Sequence, residues 1–294
     1  MIIENRSEII FLYDAKQCNP NGDPMDANRP RIDEETGKCL VTDVRLKRTI
    51  RDYLFENGYH GDEKAGNFKG DIFVRDEDGK SVTGEKRSKS YTDKNDFISK
   101  YIDARLFGAV SAPKDKKKVF NLTGPVQFGM GKSFNVVREN FIKGTGAFTT
   151  SETATQKTFR EEYNITYGLI GFHGVINENA AVHSSLTEDD VEALLDGIWN
   201  GTKGLLSRSK KGHMPRLLVK IDYLESNFFI GDLLERMKLN PLDGTKEESF
   251  EDIVDFAIDT SEINKILKKY DDKIAKITVI QDDRVKLTEP IKSK

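Results

Sequence analysis

Between Tyr163 and Asn177 the chain runs without a single Asp, Glu, Lys or Arg. Over its first half Tyr163, Ile165, Tyr167 and Leu169 alternate with Asn164, Thr166 and Gly168. A period of two sends those sets to opposite faces of a strand. A long strand with no charge on either face belongs at the centre of a sheet, so the rest of the chain has to be arranged around it.

Three more strands can be read. Glu8–Asp14 (EIIFLYD) is a short apolar run, Val119–Phe128 is a strand passing into a glycine turn at Gly129–Lys132, and Arg216–Leu224 is a third. Two amphipathic helices separate them. In Val41–Leu54 (VTDVRLKRTIRDYL), Leu46, Ile50, Tyr53 and Leu54 form the apolar side and Lys47, Arg48 and Arg51 the basic side. Thr42 is placed to cap it, and Asp43 suits the positive end of its dipole. Thr187 opens the other helix, with Asp190 completing a capping-box pattern and Val191, Leu194, Leu195, Ile198 and Trp199 on one stripe. The order strand, helix, strand, strand, helix, strand predicts an α+β chain of the ferredoxin-like kind, a pattern shared with RNA-recognition domains.

Other segments depart from this alternation. Asn57–Asn95 is rich in Gly, Asp, Lys and Ser and reads as a partly mobile insertion with one strand at Asp71–Arg75. Phe97–Phe107 predicts a single helix with Ile98, Tyr101, Ile102 and Leu106 along its stripe, and Lys114–Lys118 (KDKKK) a solvated loop. Phe134–Phe159, with Thr, Gly, Ser and scattered aromatics, predicts a projecting hairpin. Glu248–Tyr270 predicts an acidic helix, and a strand follows near Ile277–Ile280.

The formal net charge of -3 announces no polyanion binder, but it is unevenly spread. From Gly197 to Ile221 the chain holds Lys203, Arg208, Lys210, Lys211, Arg216 and Lys220 and no acid, whereas Asp222 onward has 17 acidic and 12 basic residues. Such asymmetry steers a polyanion to one face. The basic helix and Ser207–Lys211 (SRSKK) follow the same side of a ferredoxin-like sheet and together make a candidate phosphate track. Arginine forks there would hold phosphate oxygens and Ser207 and Ser209 would add neutral donors.

Other constellations are weaker. Asn19, Asn21, Asp23 and Asp26 suggest a calcium loop, but setting Gly22 at its sixth position puts Gln17 and Asn28 where carboxylates are required. Gly129-Met130-Gly131-Lys132-Ser133 lacks the upstream glycine of a nucleotide-binding loop, since Val126 stands there. It remains a glycine turn offering Lys132 to a phosphate. His60, His173, His183 and His213 share no short spacing. His173 reads as a hydrogen-bonded core histidine, and His213 as either an RNA contact or an acid/base group. Phe134, Phe141, Phe148 and Phe159 either wedge between bases or cover a local core. Cys18 and Cys39 form no zinc pattern, so no metal and no cofactor is expected. MIIENRSEII lacks a signal-peptide layout and no run is long enough to span a membrane, so a soluble cytoplasmic protein without membrane partners is expected.

SEIIFLYDAKQCNPNGDP, RPRIDEETG, VTDVRLKRTIRDYL, DARLFG (Asp103–Gly108) and NLTGPVQF (Asn121–Phe128) together resemble the backbone subunit of CRISPR Cascade complexes, the Cas-seven family, most closely its type I-B form. The resemblance runs from Ser7 to about Leu224. It implies an RNA-recognition-like palm at 1–56 and 96–225, a finger insertion at 57–95, a thumb hairpin at about 132–162 inside the palm, and an acidic α/β extension at 226–294. It also implies a non-enzymatic subunit that polymerises with copies of itself along one CRISPR RNA (crRNA), beside other Cascade subunits, and presents the guide to target DNA. Carried onto this chain, the RNA contacts are Asn21, Arg45, Lys47, Arg48, Arg51, Lys132, Ser207, Arg208, Ser209, Lys210 and Lys211. The alternative is a metal- or His-dependent endoribonuclease acting on guide or target RNA through Asp23, Asp26, Asp33 or His213.

Overall fold

The computed structural model describes residues 1–77, 79–80, 82–149 and 157–294, the side chains of 145–149 and 157–160 excepted. Its strands are β1 (Ser7–Cys18), the two-residue β2 (Gly22–Asp23) and β3 (Arg29–Pro30), β4 (Lys38–Val41), β5 (Gly108–Ser111), β6 (Phe120–Thr123), β7 (Val126–Phe128), β8 (Gly131–Val136), β9 (Glu139–Thr149), β10 (Lys157–Ile176), β11 (His213–Tyr223), β12 (Lys238–Pro241), β13 (Phe256–Asp259) and β14 (Ile274–Gln281). Among the described residues its α-helices are α1 (Asp43–Glu56), α2 (Gly84–Arg87), α3 (Lys94–Lys100), α4 (Ile102–Phe107), α5 (Glu178–Ser184), α6 (Glu188–Lys203) and α7 (Ser261–Lys269).

The uncharged segment is the part of β10 from Tyr163 to Ile176, and it is central. The main antiparallel sheet has the order β14-β11-β1-β10-β8-β4, with β7 and β9 also paired to β10. Ser7 faces Ile176 and Cys18 faces Ile165 along β1–β10, while Ala15 faces His213 along β1–β11. Both faces are buried. Ile9, Phe11, Tyr13 and Ala15 pack toward α1 and α6, and Ile10 and Leu12 pack toward the C-terminal layer of Leu233, Met237, Phe250 and Phe256. A strand covered on both sides has no solvent face, hence the continuous apolar run Ile9–Tyr13 (IIFLY).

Helices α1 and α6 share one face of the sheet. A Cβ added at Gly197 would lie 3.0 Å from Ile50 Cγ2, and one at Gly201 would lie 3.0 Å from Tyr53 Cβ. Both N-caps are as expected: Thr42 accepts from Arg45 N–H, and Thr187 and Asp190 form the reciprocal box. On the other face, the buried Glu8 carboxylate accepts from His173 Nε2 at 2.7 Å, Ile230 N–H at 2.8 Å, Gly231 N–H at 3.1 Å and the Tyr223 hydroxyl, tying the C-terminal layer down. His173 is therefore the hydrogen-bonded strand histidine anticipated.

Several elements differ from expectation. Glu248–Tyr270 is α-helical only over Ser261–Lys269, after two short 3-10 turns at Glu247–Ser249 and Ile253–Asp255. Phe256 and Ile258 alternate inward because β13 pairs with β12, and pairing overrides the helical spacing. Phe97–Phe107 is two helices, α3 and α4, because Tyr101 takes an extended conformation to bridge Asp71. Val119–Phe128 is interrupted at Gly124-Pro125, where a glycine Cβ would lie 2.0 Å from the Phe107 carbonyl carbon. Asp71–Arg75 forms only that single bridge at Asp71. Phe134 belongs to β8 of the main sheet and packs on the C-terminal layer, so the hairpin is β9–β10. Residues 150–156 and the rings of Phe148 and Phe159 lie outside the described residues.

Residues from the 57–95 segment join α3, α4 and β6 in a side lobe with its own core: Phe73, Tyr91, Phe97, Tyr101, Phe120 and Leu122. Phe73 and Phe97 meet edge-to-face at 4.7 Å. No helix among the described residues is long and apolar enough to cross a membrane.

Candidate nucleic-acid interface

The basic face of α1 divides into three. Arg51 Nε donates to Asp103 at 2.8 Å, and its guanidinium stands 5.1 Å from the Phe107 ring. Asp103 is fully buried and also accepts from Phe73 N–H at 2.7 Å and Val74 N–H at 3.1 Å. Lys47 pairs with Asp43 at 2.9 Å and stands 5.6 Å from the same ring. These two cations face the side lobe and are engaged in the fold. Arg48 is 48 % exposed and pairs with Asp52 at 2.6 Å, an i,i+4 surface pair of small strength. Arg45 points the third way, donating to Thr49 Oγ1 at 2.9 Å, while its buried Nε has no partner among the described residues.

Beyond Arg45 the chain comes together across long separations. Because β1 and β11 are neighbours, the turn after α6 lies against the loop after β1, and Asn19 N–H donates to Ser209 C=O at 2.9 Å. Lys210 Nζ donates to the carbonyls of Asn19 and Pro20, the latter at 2.9 Å. Asn21 Oδ1 accepts from Thr42 N–H and Thr42 Oγ1, both at 2.9 Å, fastening this loop to the N-terminus of α1. Arg45, Lys210 and the buried His213 thus face one floor. Burial, reinforced by Arg45, pushes the Lys210 ammonium down to about 8. Burial, then Lys210 and Arg45, hold His213 well below the usual imidazole range, so it is neutral. Its ring stands edge-on to Tyr13 at 5.3 Å.

Arg208 lies at the rim, paired with Glu162 of β10. Ser207, Arg208 and Ser209 line a cleft of about 390 Å³ with Asn19, Asn28 and Tyr163. The exposed Lys211 continues the turn. Lys132, on β8, is 46 % exposed and 3.5 Å from Asp33. The structure therefore gathers Asn21, Arg45, Ser207, Arg208, Ser209 and Lys210 around one loop. Arg48 lies one turn along α1 from Arg45, Lys132 lies by the Asp33 loop, and Lys47 and Arg51 turn away.

Sequence reading missed Arg29 and Tyr163. Arg29 grips Glu139 through two nitrogens at 3.0 and 2.6 Å and stacks over Tyr163 at 5.2 Å, and Tyr163 lies against Phe141 at 4.7 Å. Arg29 sits within RPRIDEETG, but nothing local to that segment signals Glu139.

The carboxylates of the nuclease alternative are dispersed in structural roles. Asp23 holds Arg31 at 2.8 Å, Asp26 lies 3.8 Å from Arg29, and Asp33 accepts from Thr36 and the Glu35 N–H. Among the described residues no carboxylate is hydrogen-bonded to His213. Among the described residues no three His, Cys, Asp or Glu are placed to hold a metal ion.

The family model described as CRISPR-associated protein Cas7 matches residues 5–261. The chain belongs to the Cas7 family. Its curated relatives include the CRISPR-associated protein Cas7 of Haloferax volcanii, 34 % identical, with 96 % of this chain and 88 % of that protein covered. The fold of this Cas7-family chain is similar to chains of two solved assemblies, a CRISPR RNA-guided surveillance complex in a pre-nicking state and a CRISPR RNA-guided surveillance complex. Their TM-scores are 0.54 and 0.53 at 10 % and 12 % identity, each comparison covering 97 % of this chain and 96 % and 95 % of the other.

Proposed function

We propose that this Cas7-family chain is a crRNA-binding backbone subunit of a Cascade surveillance complex. In this reading it is non-catalytic and of the type I-B form, and it polymerises with copies of itself along one guide and presents that guide to target DNA beside other Cascade subunits. The observation that carries the reading is the convergence of the SRSKK turn, the Asn19–Asn21 loop and the N-terminal half of α1 on one surface, in a chain with no global basicity. Arg48, Arg208, Lys211 and Lys132 would meet phosphates from the rim, with Arg45 and Lys210 at the floor and Ser207, Ser209 and Asn21 adding neutral contacts. Lys47 and Arg51 would act by setting the α1 surface.

The topology supports the remaining assignments. The strands flanking α1 and α6 lie in the spatial order β11-β1-β10-β8, the order a ferredoxin-like or RNA-recognition-like palm requires. With the palm at 1–56 and 96–225, the 57–95 segment is the finger insertion, the β9–β10 hairpin within about 132–162 is the thumb, and 226–294 is the acidic extension. That extension covers the sheet face that RNA-recognition domains use, which moves the guide to the loop edge.

The test is purification without nuclease, counting protein copies per co-purified RNA and sequencing that RNA. Several copies on one repeat-derived RNA, bound with a steep salt dependence and left uncut with or without divalent ions, is the expected outcome. A monomer that ignores added repeat-spacer RNA, or one that cleaves it, would overturn the reading.

A further inference from the structure

The root of the β9–β10 hairpin carries a carboxylate on each strand, and each occupies an arginine at the candidate interface. Glu139 opens β9 opposite Ile165, and Glu162 lies on β10 opposite Ile142. Glu139 takes the Arg29 fork through both oxygens, at 3.0 and 2.6 Å, and Asp26 is a weaker second partner at 3.8 Å. Glu162 accepts from Arg208. Arg29 belongs to β3 and Arg208 to the turn after α6, so two segments distant in the chain are drawn onto one hairpin.

Arg29 is also tied to the loops of the interface. The carbonyl of its neighbour Asn28 accepts from Asn19 Nδ2 at 2.6 Å, and Asn19 N–H donates to Ser209 C=O. The Arg29 guanidinium lies over Tyr163, which the β9–β10 register sets against Phe141. Arg29 lines one cleft of about 460 Å³ with Thr42 and Met130, and Tyr163 lines the other with Ser207 and Arg208. The Arg29–Tyr163 stack therefore stands between the two clefts.

These pairs differ from those that hold the fold. Asp103 is sealed against Arg51, and Asp14 and Arg216 meet at 2.9 Å with both side chains buried. Arg29 and Arg208 are 45 % and 50 % exposed. Exposed guanidinium–carboxylate pairs contribute little to stability, because water and salt compete for both charges. A carboxylate and a phosphate offer an arginine fork the same pair of oxygens, so one can replace the other at little net cost.

We propose that Glu139 and Glu162 are an internal competitor of RNA: they hold Arg29 and Arg208 while the subunit is empty, and phosphates of the guide displace them on binding. The proposal rests on the guide-binding reading and adds Arg29 to the residues that meet RNA. A single phosphate gains little by exchange with one carboxylate. A continuous strand that exchanges at both arginines gains from the linkage, so the device favours long RNA over stray anions and short fragments.

The experiment is fluorescence anisotropy of the RNA-free full-length protein with a labelled repeat-spacer RNA at fixed salt. The variants are Glu139→Gln, Glu162→Gln, the two combined, and Glu139→Gln in an Arg29→Ala background. Glu161→Gln is the control, since Glu161 adjoins Glu162 on β10 but pairs with Lys143 of β9. The expected result is a gain in affinity of about two- to fivefold for Glu139→Gln and for Glu162→Gln, and roughly tenfold for both together. The control should gain less than about twofold, and melting temperatures should stay within about 3 °C of wild type. Arg29→Ala should lose affinity, and adding Glu139→Gln to it should recover nothing, because the glutamate acts through that arginine. Unchanged binding by both glutamine variants would overturn the proposal. Weaker binding would overturn it too, by making the glutamates positioning residues for their arginines. So would a gain from Glu139→Gln that persists without Arg29, which is mere removal of negative charge. RNA binding by the wild type with no gain in the variants refutes the competition alone. No RNA binding by the wild type or any variant refutes the guide-binding reading and the competition with it.

Discussion

Arg48 and Arg51 sit three residues apart on α1, and their substitutions should separate stability from binding. Arg51→Ala leaves the Asp103 carboxylate, with no solvent exposure, without its counter-charge. Its two backbone hydrogen bonds from Phe73 and Val74 remain. Breaking one side of such a buried pair costs about 3–5 kcal/mol. In a chain of this size each kcal/mol lowers the melting temperature by about 2–3 °C, so a fall of roughly 6–15 °C is expected. Arg48→Ala removes only half-exposed pairs, with Asp52 at 2.6 Å and Asp76 at 3.9 Å, and should cost about 0.5 kcal/mol or less. The assay is thermal unfolding by circular dichroism of RNA-free protein, beside RNA affinity measured well below both transitions. Arg48→Ala should weaken RNA binding and leave the melt in place, and Arg51→Ala should do the reverse. Equal melting of the two variants, or loss of RNA affinity in Arg51→Ala at unchanged stability, would refute the division of the helix face.

Lys210 supplies a pH test. Its ammonium titrates at about 8 in the folded chain against an ordinary value of 10.5, so the folded state binds fewer protons between those values and stability should rise with pH across that window. RNA affinity should move oppositely, falling from pH 7 to 9 as the charge is lost, and Lys210→Arg should flatten that fall. Identical profiles for the two proteins would remove Lys210 from the interface. At the α1–α6 contact, Gly201→Leu should cost about 1–3 kcal/mol in a urea titration. A Cβ there already meets Tyr53 Cβ at 3.0 Å and the Thr49 carbonyl oxygen at 3.2 Å, and a melt as stable as wild type would mean the helices separate freely.

Local signals read well where the physics is local. Thr42 and the Thr187/Asp190 box cap their helices because a cap needs only its own first turn. The alternation from Tyr163 onward marked a centre because no charged side chain there requires water. The readings that failed needed a partner: β13 became a strand by pairing with β12, and Tyr101 broke a helix by bridging Asp71. At the candidate interface, sequence identified which residues are basic but not which are already answered. Asp103 lies 52 positions from Arg51, and Glu139 lies 110 from Arg29.

The sequence alone determined the central strand, the two capped helices, the uneven charge and the family. Tertiary structure decided which cations can reach a ligand. Adjacency of β1 and β11 joins the SRSKK turn to the Asn19–Asn21 loop, and the side lobe takes Arg51 and Lys47 into its own contacts. The reason is range: a cap or a pleat is set by neighbours along the chain, whereas the charge a phosphate would meet is what remains after distant carboxylates have been brought into contact.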